Sequence, residues 1–166
     1  MESLGKHILV EYYNCDQEIL NDPQYLEKHL RQAADEIGAT FLNQTTHSFF
    51  PWGVSSVVVI QESHLAIHTW PEHSFASVDL FTCGDLADTW KGFKYLLGVL
   101  KAKHYSAMEM KRGVKQLLPE VDEEGLMPVG KEPQVIEGPS QKSAHWYIDI
   151  LEGYDGGLGL CIKHKG

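Results

Sequence analysis

The sequence predicts an α+β fold, a two-layer sandwich in which helices pack on one face of an antiparallel sheet. Three observations carry that expectation. The periodicities run strand, helix, several strands, helix, strand; both helical stretches are apolar along one side; and long crossover units are too few for a doubly wound parallel sheet. A chain of 166 residues that is 43% hydrophobic and 10% aromatic has enough apolar material for one domain with a real core.

Residues from about Lys6 to Tyr13 alternate as a strand. Asn21-Asp22-Pro23 then supplies a helix cap followed by proline at the first helical position, and Leu26, Leu30, Ala33, Ala34 and Ile37 recur at helical spacing as far as the terminator Gly38. A strand is expected over Thr40 to Ser48, with Pro51-Trp52-Gly53 as punctuation before the branched run VSSVVVI from Val54. HLAIHTW from His64 and FASVDLFTC from Phe75 are further strands separated by Pro71. Asp85 reads as the cap of a second helix with Trp90, Phe93, Leu97 and Leu100 on one side, and a last strand covers His104 to Lys111. Residues 1–115 therefore form the compact domain. Residues 116–142, with four of the seven prolines and many acids, read as an extended linker, and 143–166 as a hairpin or tail with GYDGG as its turn.

The formal charge of −9, from 23 acidic against 14 basic residues, argues against nucleic acid or an anionic membrane as partner and favours a small cationic substrate. No apolar run is long enough to cross a bilayer and no cleavable leader is visible, so a soluble cytoplasmic protein is expected. The three cysteines, Cys15, Cys83 and Cys161, are too far apart for a disulfide framework or a zinc site. His7, His29, His47, His73, His104, His145 and His164 lack paired spacing with carboxylates and read as ordinary surface or core histidines, so no metal is expected.

The most informative stretch is VSSVVVIQESHLAIHTWPE, where two strands meet at Glu62-Ser63 without glycine, proline or asparagine to turn the chain. A loop of Glu62 and Ser63 would set Gln61 opposite His64, Ile60 opposite Leu65, Val58 opposite Ile67 and Val57 opposite His68. Val58, Ile60, Leu65 and Ile67 then share an apolar face, and Ser55, Gln61, His64, His68 and Trp70 share the other, the candidate active face. Glu-Ser in so tight a turn is strained or bulged. A strained peptide lets the serine hydroxyl attack the preceding carbonyl, turning the amide into an ester. Loss of the Cα proton then eliminates a chain ending at Glu62 and leaves dehydroalanine, which hydrolyses to a pyruvoyl group. Such a ketone condenses with an amine and takes up electrons as a carboxylate departs. Taken singly, Ser63 would be a turn residue, His68 a sheet histidine and Cys83 a small buried side chain. A hydrolase is excluded by the absence of a G-x-S-x-G elbow.

Gly53-Val54-Ser55, Glu62-Ser63-His64-Leu65, Ile67 to Glu72, Asp79 to Gly84 and the opening LGKH resemble the processing and active-site motifs of bacterial S-adenosylmethionine decarboxylase proenzymes, across residues 1 to 115. The resemblance implies cleavage between Glu62 and Ser63, with Ser63 as precursor of the pyruvoyl cofactor that forms a Schiff base with substrate. It implies Ser55 and His68 as processing residues, His68 accepting a proton, and Cys83 as proton donor in catalysis. Phe49 and Trp70 would flank the adenine, Glu72 would meet the ribose hydroxyls and Leu65 would join the substrate contacts. Neither pyridoxal phosphate nor metal is implied. The product would be decarboxylated S-adenosylmethionine for spermidine biosynthesis, made by a homodimer of processed protomers. Two alternatives share the scaffold: a pyruvoyl-dependent arginine or ornithine decarboxylase, and a non-catalytic dimerising paralogue. Trp146, Glu152 and Gly157-Leu158-Gly159-Leu160 resemble the N-terminal hairpin of spermidine synthases, which implies a fused synthase domain; the other reading is an interaction tail.

Overall fold

The computed structural model describes residues 3–84, 87–115, 118, 146–152 and 158–164, the last two stretches as backbone only. In chain order the elements are β1 (Ser3–Tyr13), α1 (Gln17–Leu20), α2 (Pro23–Glu36), β2 (Phe41–Ser48), β3 (Val54–Ile60), β4 (Ser63–Trp70), a 3-10 turn (Pro71–His73), β5 (Phe75–Cys83), α3 (Thr89–Val99), β6 (His104–Val114), β7 (Trp146–Glu152) and β8 (Leu158–His164). The expected cap Asp85, nearly all of the linker 116–142 and the GYDGG turn lie outside the described residues.

Helix α2 forms where local chemistry dictates. The Asp22 carboxylate accepts from the N–H groups of Gln24 and Tyr25, Pro23 occupies the first turn, and Gly38 leaves the helix at a φ of 77° that favours glycine. Its stripe of Leu26, Leu30, Ala33, Ala34 and Ile37 is buried. The second helix, α3, departs from expectation: Asp88 caps it, accepting from the Trp90 N–H, and Leu96 rather than Leu97 is buried beside Phe93 and Leu100. Gly92 lets α3 approach the end of α2, because a Cβ there would lie 2.7 Å from Ile37 Cγ2. The one-turn helix α1, capped by Asp16, was not foreseen.

The sheet order is β2-β3-β4-β5-β1-β6-β8-β7. Every pairing from β2 to β6 is antiparallel, as the sequence predicts. The expected tail hairpin is present as β7 and β8, and it joins the edge of the sheet through a parallel β6–β8 pairing that nothing in the sequence indicated. Alternation decides the layers. Ile8, Val10, Tyr12, Val54, Val58, Ile60, Leu65, Ile67, Val78 and Leu80 point under α2 and α3 and are buried. The buried Tyr12 hydroxyl donates to the Phe93 carbonyl at 2.8 Å, fastening α3 to the sheet. The opposite face carries His7, Leu9, Glu11, Val57, Val59, His64, His68, Trp70, Phe75, Asp79 and Phe81, half-buried or exposed, and no helix among the described residues covers it. No described helix is long and apolar enough to cross a membrane.

Candidate active site

The hairpin that the sequence singled out closes through Gln61 and Glu62, not Glu62 and Ser63, so Ile60 lies opposite Ser63, Val59 opposite His64, Val58 opposite Leu65 and Ser55 opposite His68. The expected register was off by two residues. Because side chains alternate with a period of two, that slip leaves both faces as predicted. The turn is gripped from both sides: Gln61 N–H donates to the Thr40 carbonyl, and Thr40 N–H donates to the Glu62 carboxylate at 2.9 Å.

Ser63 is the first residue of β4 and has a φ of 153°, a backbone conformation that side chains avoid. The strain expected in the loop therefore sits on the serine itself. On its N-terminal side, the Glu62 carbonyl accepts from the Cys83 N–H at 2.7 Å. That donor polarises the carbonyl and is aimed at the oxygen where charge would develop during attack. Cys83 is exposed, whereas Cys15 is buried and its thiol is pushed up to about 12 by that burial. Gly5 keeps the neighbourhood open, since a Cβ on it would lie 2.8 Å from the Phe81 ring and 3.4 Å from Cys83 Sγ.

His64 Nδ1 lies 3.3 Å from Ser63 Oγ. Partial burial, then the nearby His7, hold its pKa below the ordinary 6.5, so the ring is neutral near pH 7 and free to accept the hydroxyl proton. His7 in turn is fixed from two directions. Arg112, a donor only, meets Nδ1 at 3.1 Å, which leaves the ring proton on Nε2 facing Asp79 at 3.0 Å. Arg112 also lies 5.3 Å above the Phe81 ring. The sequence reading assigned no role to His7, Asp79 or Arg112; alternation along β1 and β5 places His7 and Asp79 on the face of His64 and could have flagged them.

A second cluster occupies the other end of β4. Ser55 Oγ is hydrogen-bonded to His68 Nδ1. The His68 ring lies between Trp70, at 4.1 Å, and Phe49, at 5.4 Å between centroids. Glu72 is exposed in the 3-10 turn just beyond. Leu65 is 0% exposed under the helices, so only its backbone faces this side.

Ser63 and His68 are five residues apart on one extended strand, a distance of about 17 Å at roughly 3.3 Å per residue, and cannot touch within one chain. The chain holds Cys83 and His64 at one end of the open face, with Ser63 Oγ 3.3 Å from His64 Nδ1 at that end, and Ser55, His68, Phe49 and Trp70 at the other.

His64→Ala is expected to slow splitting at Ser63 about 100-fold at pH 7 and far less at a pH below the lowered pKa of the ring, where a protonated imidazole accepts nothing in the parent either. His64 has a depressed pKa, so its acceptor function is present above that value and lost as pH falls through it. Time courses of splitting for newly made chain at both pH values check this; equal losses would assign His64 a purely structural part.

A family model described as S-adenosylmethionine decarboxylase matches residues 6–113. Proteins named S-adenosylmethionine decarboxylase proenzyme from Thermosipho melanesiensis and Thermotoga maritima are 54% and 53% identical over 113 residues, covering 68% of this chain and 87% of each relative. One from Acetivibrio thermocellus is 53% identical over 114 residues, with 92% of that protein covered. Among solved structures, the adenosylmethionine decarboxylase of Aquifex aeolicus superposes with a TM-score of 0.66 at 30% identity, over 73% of this chain and 100% of that one.

Proposed function

The chain belongs to the S-adenosylmethionine decarboxylase family, and from that premise we propose how its residues make and use the site: Ser63 becomes a pyruvoyl group by self-cleavage after Glu62. The protein is a carboxy-lyase that converts S-adenosylmethionine to its decarboxylated form; its relatives do not favour the arginine or ornithine reading. The observation that carries the cleavage proposal is the positive φ of Ser63 beside a carbonyl already engaged by the Cys83 N–H.

Ser63 Oγ attacks the Glu62 carbonyl carbon while its proton passes to His64 Nδ1. Charge gathering on the carbonyl oxygen is stabilised by the Cys83 N–H. The C–N bond breaks, the nitrogen takes a proton, and the chain is left joined through an ester. Removal of the Ser63 Cα proton by the partner's His68, held by the partner's Ser55, then expels Glu62 as a carboxylate and leaves dehydroalanine, which takes up water and releases its nitrogen as ammonia. The residues present fit a pyruvoyl group, which once formed supplies the ketone that takes up electrons when the substrate loses carbon dioxide. Cys83, exposed at the end of β5, returns the proton to the substrate carbon.

Phe49 and Trp70 offer ring faces to the adenine and the sulfonium cation, and Glu72 accepts from the ribose hydroxyls. The charge of −9 draws a cationic substrate inwards. Two facts support a homodimer formed through the uncovered sheet faces. That face exposes apolar side chains, with Phe49 at 44%, Val59 at 42% and Met110 at 38%. The two site clusters, too far apart in one chain, meet if Ser63 and Cys83 of one protomer lie against the partner's His68 and the partner's Ser55.

Mass measurement on purified protein tests the proposal together with carbon dioxide release from S-adenosylmethionine, arginine and ornithine. Two pieces split after Glu62, the second beginning with a pyruvoyl group, and release from S-adenosylmethionine are expected. A single uncut chain that still turns over substrate would sink the proposed route.

A further inference from the structure

Thr82 of β5 pairs with Ser63 of β4. The hydrogen bond from Cys83 N–H to the Glu62 carbonyl, 2.7 Å long, lies one residue outside this pair. Ser63 and Thr82 are therefore a pair without backbone bonds of their own, the kind in which Cα atoms approach to about 4.5 Å. Thr82 is 0% exposed, and its Oγ1 is the one buried side-chain oxygen or nitrogen among the described residues with no hydrogen-bond partner. The other buried hydroxyls of this hairpin are satisfied: Ser56 by Gln44 and Thr46, and Thr69 by Val54 and the Leu20 carbonyl. A lone buried hydroxyl is destabilising, and valine, its apolar isostere, would remove the penalty. A threonine that is a liability in the uncut chain, directly across from the residue that is rebuilt, points to use after rebuilding.

We propose that the Thr82 hydroxyl is a positioning donor left idle in the precursor and engaged by the carbonyl that cleavage creates at position 63. The inference rests on the conversion of Ser63 proposed above. Uncut Ser63 carries no acceptor on its Cα; conversion puts a carbonyl oxygen there. A donor from the neighbouring strand then fixes which way that carbonyl faces when the substrate amine arrives.

The test uses the full chain with Thr82→Val and Thr82→Ser, each in the native background and in an uncut Ser63→Ala background. Thr82→Val is expected to raise the Tm of the uncut chain by about 2–6 °C and to lower that of the cut chain. Splitting should run at the parental rate. In the cut enzyme kcat should fall about ten- to a hundredfold with KM nearly unchanged, and Thr82→Ser should restore most of it. A Tm lowered in both backgrounds, slowed splitting, or an unchanged kcat each overturns the inference. If the parent is cut after Glu62 and valine changes nothing, this inference alone fails; if the parent is never cut, the proposed conversion fails with it.

Discussion

Ser63→Ala is expected to stay a single 18.7 kDa chain indefinitely and to release no measurable carbon dioxide from S-adenosylmethionine. Alanine lacks the oxygen that attacks the Glu62 carbonyl, and the hydrogen bond that carbonyl accepts comes from the Cys83 backbone N–H, which is no nucleophile. The substitution keeps the strain, since alanine avoids a φ of 153° as serine does. Glycine does not. Ser63→Gly should therefore be uncut as well, yet more stable than Ser63→Ala by about 1–2 kcal/mol, read as a higher denaturation midpoint. Intact mass, turnover and denaturant melts on the two variants separate the chemistry from the strain. A split Ser63→Ala chain would remove Ser63 from the mechanism, and equal stability of the two would remove the strain.

Co-expression of Ser63→Ala with His68→Ala should rescue cleavage that neither chain performs alone. The distance along β4 requires it: a Ser63 that cannot reach the His68 of its own chain must use the partner's His68. In a mixed dimer the His68→Ala chain contributes Ser63 to a site completed by the other protomer, while the second site lacks both groups. Random pairing at equal amounts places about half of the His68→Ala chains in mixed dimers, so about half should be cut. A mass tag on one chain shows which was split. Cleavage of His68→Ala expressed alone, or no cleavage in the mixture, would rule out a site shared between two copies.

Much of the fold was legible because it follows from local chemistry. Asp22-Pro23 and Gly38 bracket α2, and strict alternation along β3, β4 and β5 separates a buried face from an open one. What failed was phase and range. Asp85 and Asp88 are both acceptable caps, and with Leu96 and Leu97 adjacent, apolar periodicity alone does not decide which of them faces the sheet. In the hairpin, no glycine or asparagine marks which two residues turn, so the register slipped by two while the faces stayed correct. Ser63 and His68 are close in the sequence, but the extended strand that carries both separates them widely. The cradle of His7, Asp79 and Arg112 depends on β1 lying between β5 and β6, and the parallel β6–β8 joint is likewise a long-range fact that no window of sequence contains.

The position of β1 also governs what becomes of the protein after it is nicked. A break following Glu62 puts β1, β2 and β3 in one fragment and β4, β5 and β6 in the other, yet β1 is hydrogen-bonded along both edges to strands of the second fragment. The fragments are interleaved, and dilution alone does not part them; separation requires the sheet to tear along three seams at once. Once torn, they no longer share a tether and must meet again by diffusion, so recovery from heat becomes concentration-dependent and, in dilute solution, effectively one-way.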